Sequence, residues 1–159
     1  MGGHHLPNQG KTDSWITPKY VVDALGEFDL DPCECTPQPY PLATHGYNRE
    51  EDGLSRLWFG RVWLNPPYST ARAWLKRLSK HGRGTALVFA RTETEMFRRY
   101  VWERATAILF LYGRLSFYLP DGSFPGKNSG APSVLVAYGV GDAEVLGNCG
   151  LPGKFCLPR

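Results

Sequence analysis

Apolar residues fall along this chain in short runs divided by turn-forming stretches, and the period of each run predicts its element. Over 69–80, Ala71, Trp74, Leu75 and Leu78 recur at helical spacing while Arg72, Lys76, Arg77 and Lys80 fall opposite, which predicts a helix with one buried and one solvated face. The run Arg61-Val62-Trp63-Leu64 and the stretches 85–90 and 107–111 are short and densely apolar, as buried strands are, and a helix is expected between the last two over 93–103. Residues 27–31 alternate and end in Asp-Pro, which reads as a first parallel strand broken at Pro32. Ahead of it, Thr17 followed by Pro18 has the form of a helix start, a capping hydroxyl and then proline at the first helical position, so a short helix is expected from 18 to about 25. This alternation of strand and helix predicts an α/β fold with a mostly parallel sheet.

The remaining segments read as connections. Prolines at 37, 39 and 41 with Gly46 and Asn48 make 34–50 a loop, one able to close over a ligand. Stretches 113–118 and 133–139 are strand-like and separated by Pro120-Asp121-Gly122-Ser123 and Gly126-Lys127-Asn128-Ser129-Gly130, so a terminal antiparallel hairpin with a long polar loop is expected. Residues 1–14 read as a flexible arm and 141–159 as a weakly structured tail rich in Gly and Pro.

Composition narrows the class without naming a function. A chain of 159 residues is one domain's worth, and 42% hydrophobic with 13% aromatic residues suits a globular protein. No apolar run approaches the ~18 residues of a membrane span and no signal peptide is visible, so a cytoplasmic protein is expected. The formal charge of +3 is mild, yet 18 Lys plus Arg can still be arranged as a basic face. Cys33, Cys35, Cys149 and Cys156 lack both the C-x-x-C spacing of zinc sites and the density of a secreted disulfide scaffold. They read as reduced thiols, and with no helical His pair among His4, His5, His45 and His81, no metal is expected.

Chemistry concentrates at Asn65-Pro66-Pro67-Tyr68, which follows the run 61–64 and precedes the helix over 69–80. That context puts the tetrapeptide at the carboxyl end of a strand, where open α/β sheets place their ligands. An amino group conjugated to an aromatic ring or a carbonyl is a poor nucleophile because its lone pair is delocalised. Two acceptors pulling on its N–H bonds, the Asn65 side-chain oxygen and the Pro66 carbonyl, draw the nitrogen toward a tetrahedral shape and aim its lone pair at a methyl donor. Consecutive prolines fix φ and remove two donors, which stiffens the turn. Tyr68 offers a ring on which a planar base can stack. The plain alternative is a proline turn capped by Asn.

With these residues stand Trp15-Ile16-Thr17-Pro18, Phe28-Asp29-Leu30-Asp31-Pro32-Cys33, Asp52-Gly53-Leu54 followed by Trp58, Trp74 after the tetrapeptide, and Gly113-Arg114-Leu115 with Phe117. In this order the chain resembles the phage-type DNA N-6-adenine methyltransferases, the small Dam-like family. The resemblance implies a reduced Rossmann-like, S-adenosylmethionine-dependent methyltransferase domain over 15–140, double-stranded DNA as partner, and phage or mobile-element origin in a bacterial host. It implies that Asn65, Pro66, Pro67 and Tyr68 hold the target amino group and that Trp15, Thr17, Asp31, Pro32, Cys33 and Asp52 lie at the cofactor. The glycine-rich loop of most methyltransferases is missing after Cys33, where Glu34-Cys35-Thr36-Pro37-Gln38-Pro39 follows.

Alternatives stay open for several of these residues. Thr17 can be only a helix cap, Asp31 a turn-former before proline, and Asp52 part of an Asp-Gly turn. Arg91, Arg114, Lys127 and Asn128 are candidate DNA contacts, as are Arg98, Arg99 and Arg104 for phosphates, although surface arginines are commonly only solvated. An Asn-Pro-Pro-Tyr clamp would equally hold a glutamine side-chain amide of a protein, and a catalytically silent DNA-binding relative is the third reading.

Overall fold

The computed structural model describes residues 14–126 and 128–159. Seven strands form one sheet in the order β2-β1-β3-β4-β6-β5-β7. They are β1 (Leu30–Asp31), β2 (His45–Gly46), β3 (Val62–Leu64), β4 (Gly84–Phe89), β5 (Ala107–Leu111), β6 (Ser133–Tyr138) and β7 (Gly153–Cys156). β1 pairs in parallel with β2 and with β3, and β3 pairs in parallel with β4. β6 is reversed: it slots between β4 and β5, antiparallel to both, and β7 runs antiparallel to β5 at the edge. The carboxyl ends of β1, β3, β4 and β5 therefore share one rim with the amino end of β6.

The period of two along each strand divides the core into two layers. Val62, Leu64, Ala86, Val88, Ile108, Val134, Val136 and Tyr138 pack on one face with Trp74, Leu75 and Leu78 of helix α2 (Ala71–His81). Trp63, Leu87, Leu109, Leu135 and Ala137 pack on the other with Val21 and Val22 of α1 (Lys19–Ala24) and Leu146 of α4 (Val140–Asn148). Coverage on both faces explains why β4 and β6 are nearly continuous in apolar residues. The expected stripe on α2 is the buried one, and its side chains stabilise by roughly 1.5–3 kcal/mol each. α2 stops at Gly82, whose left-handed φ of 76° lets its N–H reach the Leu78 carbonyl.

Several expectations are corrected. Arg77 does not face solvent: its guanidinium donates to the carbonyls of Leu54 and Arg56 and lies 5.0 Å from the Trp58 ring centroid. The helix expected over 93–103 is a short turn, α3 (Glu95–Phe97), that continues as a wider π turn over Arg98–Trp102. Residues 113–118 form no strand; Tyr118 instead bridges to Ile16, and the antiparallel partner of β6 is β5. The loop 34–50 contains β2, a remnant second strand held by two residues of pairing. The stretch 141–159 is not weakly structured, since it holds most of α4 and all of β7. Of the arm 1–14, only Ser14 lies within the described residues. No described helix is long and apolar enough to cross a membrane.

Candidate functional site

Asn65 leaves the end of β3 beside the tip of β1, and its amide orientation is fixed by what surrounds it. Nδ2 donates to the Trp15 carbonyl at 2.9 Å and to Thr17 Oγ1 at 3.1 Å. A backbone carbonyl can only accept, so the nitrogen end must face Trp15, and both amide protons are used. Oδ1 is left as the acceptor end. The sequence position of Thr17 suggested a helix cap, but its side chain makes no cap; α1 begins after Pro18 without one. The hydroxyl holds Asn65 instead. Segment 15–17 is itself pinned: Ile16 and Thr17 are fully buried, Ile16 pairs its N–H and carbonyl with Tyr118, and Tyr40 Oη donates to the Thr17 carbonyl at 2.6 Å.

The turn after Asn65 separates two hollows. Pro66 lines one and Pro67 the other, as Pro67 turns the chain into a single 3₁₀ turn, Tyr68–Thr70. The first hollow is walled by Trp15, Asn65, Pro66, Tyr68, Leu87, Phe89, Met96, Phe117 and Ser133. Its walls are mostly aromatic and aliphatic, with Asn65, Ser133, the Tyr68 hydroxyl and the Trp15 indole N–H as the polar side-chain groups of the lining residues. Tyr68, half exposed, sets its ring 5.3 Å from that of Phe89, and the Arg91 guanidinium lies 5.8 Å from the Tyr68 centroid. A hollow of this character, aromatic walls with a few directed polar groups, suits a planar ring.

The second hollow is a cleft of about 1040 Å³, partly open to solvent, lined by Pro32, Cys33, Glu34, Cys35, Asn48, Arg49, Asp52, Gly53, Pro67 and Ser69 among others. It lies between the tips of β1 and β3, where the strand order reverses, the usual ligand position in open α/β sheets. Gly53 is required there, because any side chain would strike the Pro32 carbonyl. Asp52 precedes it with φ of 52°, in the left-handed region, and stands exposed at the cleft. Asp31 lies behind the lining residues and is 4% exposed, its Oδ1 accepting from the Cys33 N–H at 3.2 Å. Burial pushes its carboxyl up to about 7, and nearby Glu34 adds to the rise. Burial and neighbouring Glu51 also raise Glu34. The cleft lining itself carries two acids, Glu34 and Asp52, and one base, Arg49.

Cys33 Sγ donates to the Asn65 carbonyl at 3.3 Å, tying the tip of β1 to that of β3. Burial and the adjacent Asp31 hold its thiol well above the usual range, and Cys35 is pushed up to about 12, first by burial. Both are thiols with a packing role, not nucleophiles. All four cysteines are free, and no group of three or more His, Cys, Asp or Glu among the described residues is placed to hold a metal.

The structure thus brings Thr17, Asn65, Pro66, Pro67 and Tyr68 together and puts Pro32, Cys33 and Asp52 on the cleft. Trp15, which the resemblance associates with the cofactor, lines the apolar hollow, while its carbonyl accepts from Cys35 Sγ of the cleft at 3.9 Å. Arg91 and exposed Arg114 follow β4 and β5 on the same rim. Asn128 lines an adjoining hollow that shares Trp15, Phe89 and Phe117 with the first. Lys127 lies outside the described residues. Arg98 and Arg99 are engaged in exposed ion pairs with Glu103 and Glu95 at 2.9 and 2.8 Å; with Arg104 they line a groove beside Lys76 and Lys80 of α2, apart from both hollows. Phe89 and Ser133 escaped the sequence analysis because each sits in a buried apolar run whose local pattern signals only a strand.

Residues 4–140 match the model of a family described as DNA N-6-adenine-methyltransferase (Dam). A DNA N-6-adenine-methyltransferase of Escherichia phage T1 is 35% identical over 72 residues, covering 41% of this chain and 29% of that protein. The match thus spans less than a third of the relative's length. No solved structure matches.

Proposed function

Because the chain belongs to the DNA N-6-adenine-methyltransferase family, we propose that it transfers a methyl group from S-adenosylmethionine to the amino nitrogen of an adenine in DNA, on a reduced Rossmann-like methyltransferase fold. The observation that carries the reading is the locked Asn65 amide, whose two protons are taken by Trp15 and Thr17. Its oxygen is thereby preset as an acceptor and needs no reorganisation when an amino group arrives, which is the condition for electrostatic catalysis. Asn65 Oδ1 and the Pro66 carbonyl accept the two N–H bonds, and the nitrogen lone pair is freed for attack. Tyr68 stacks against the base in the apolar hollow.

S-adenosylmethionine supplies an electrophilic sulfonium methyl and carries a cationic ammonium. The cleft offers such a ligand carboxyl groups: Asp31 is buried behind it with no cation beside it, and Glu34 and Asp52 line the opening together with Arg49. Pro67 and Ser69 wall the same cleft while Pro66 walls the base hollow, so the turn places the two ligands on its two sides. Double-stranded DNA must present its adenine turned out of the stack, since the amino group is otherwise buried in the pair. Arg91 beside Tyr68, Arg114 on the same rim and Asn128 of the adjoining hollow are the described candidates to meet the flanking phosphates, and Lys127 is a fourth candidate from the sequence. The setting is the cytoplasm of a bacterial host carrying the phage or element.

Incubation of the purified protein with methyl-labelled S-adenosylmethionine and DNA, followed by digestion to nucleosides, tests the reading. Label in N6-methyladenine is expected. Label in a protein glutamine, or DNA binding with no label anywhere, would replace it with a protein-amide methyltransferase or a silent relative.

A further inference from the structure

Ser133 is the first residue of β6 and pairs in register with Phe89, the last residue of β4. Since β6 runs against its neighbours, its first residue stands on the same rim as the last residues of β3 and β4. Ser133 is 2% exposed and lines the apolar hollow together with Asn65, Pro66 and Tyr68. Its Oγ is buried and has no hydrogen-bond partner. Neighbouring and comparable hydroxyls behave differently: Ser129 Oγ donates to the Ala131 carbonyl and Thr85 Oγ1 to Asp142. A buried hydroxyl without a partner carries a desolvation penalty that no protein group offsets, and alanine would fill the same place without it.

We propose that Ser133 is a specificity-determining residue whose hydroxyl donates to a ring nitrogen of the bound base. The proposal rests on the adenine methyltransferase reading and extends it to the other edge of the base. An aminopurine held by its amino group presents a bare ring-nitrogen acceptor on either side of the amino-bearing carbon, N1 and N7. Within a hollow otherwise walled by aromatic and aliphatic groups, a hydroxyl opposite one of them completes the recognition and leaves no buried polar atom unpaired. A site built this way discriminates strongly against a base lacking the acceptor, because its own hydroxyl is then stranded.

The test compares the wild-type protein and Ser133→Ala on short duplexes carrying the site found in the labelled assay, with adenine, 1-deazaadenine or 7-deazaadenine at the target. For the wild type, one of the two analogues should lose roughly tenfold in kcat/KM relative to the other, and which one identifies N1 or N7. Ser133→Ala should lose roughly tenfold on adenine, mostly through KM, and show no further loss on that same analogue. Its melting temperature should equal or exceed that of the wild type. Equal analogue penalties in the two proteins would overturn the proposal while leaving adenine methylation intact. So would a lowered melting temperature, which would assign the hydroxyl to the fold. A wild-type protein that methylates no adenine-containing duplex would instead bring down the methyltransferase reading, and this proposal with it.

Discussion

Two buried aspartates occupy opposite rims of the sheet. At the amino rim Asp142, 3% exposed in the first turn of α4, accepts from Arg61 Nε at 2.8 Å and from Thr85 Oγ1 at 2.9 Å. Arg61 in turn reaches the carbonyls of Leu25 and Glu27 and lies 4.0 Å from the Phe28 ring centroid. That network joins α1, β3, β4 and α4. At the carboxyl rim Asp31 is as deeply buried, yet its companions are the Cys33 N–H, the Gln38 side-chain amide and another acid, with no cation among them. The same residue type is satisfied where it holds the fold and left without a counter-charge at the rim proposed to bind the cofactor. On the proposed reading, this asymmetry points to the same rim as the tetrapeptide does.

The largest effect should come from breaking the paired side. Asp142→Ala leaves Arg61 charged and buried without its partner, which should cost about 3–5 kcal/mol of folding stability in denaturant titration. Cofactor affinity of the remaining folded protein should not change. A cost below ~1 kcal/mol would mean that the amino rim is not what holds these elements together.

On the unpaired side the sign reverses. With a folded-state value of about 7 for Asp31, the native protein keeps a proton that the unfolded chain releases near pH 4. Stability should therefore fall as pH rises from ~4 to ~7, by an amount on the order of a few kcal/mol, and level off above. Asp31→Asn should flatten that slope. The same substitution should weaken S-adenosylmethionine binding by roughly ten- to a hundredfold, or ~1.5–3 kcal/mol, at pH 8 in calorimetry. Wild-type affinity should climb with pH toward 7 as the carboxylate forms. Unchanged affinity in a folded Asp31→Asn variant would remove Asp31 from the cofactor site and leave Asp52 as the candidate acid.

A smaller effect is expected on the far side of the turn. Tyr68→Ala removes a half-exposed ring from the wall of the apolar hollow and should cost ~1–3 kcal/mol of base placement, read as a raised KM for DNA with cofactor affinity unaltered. Equal loss of cofactor affinity would show that the two hollows are not separate sites.

Much of this rim could be read from the chain because local pattern decided it. The stripe Ala71, Trp74, Leu75, Leu78 and the run 107–111 became the helix and strand their periods predicted, and the tetrapeptide fell at a strand end as its context required. What stayed hidden was decided by distant partners. The bonds from Asn65 to Trp15 and Thr17 join positions 50 and 48 residues apart, and nothing near Thr17 distinguishes a hydroxyl that caps a helix from one that holds an amide. The stretch 141–159 looked loose because α4 contains Gly141 and Gly147. It is ordered by tertiary packing: Gly147 lies against the Phe155 ring, and β7 pairs along β5. The run 113–118 has strand composition, but the reversed β6 had already taken the place beside β5, leaving Tyr118 a single bridge to Ile16.

The measurement that bears most directly on the central claim is single-turnover methylation by Asn65→Ala alongside its affinity for S-adenosylmethionine. The locked amide acts on the amino group as charge develops, so the rate of N6-methyladenine formation should fall at least ~100-fold while cofactor affinity is nearly kept. A folded Asn65→Ala protein that methylates adenine at the wild-type rate would contradict the assignment of this rim as the methyl-transfer site.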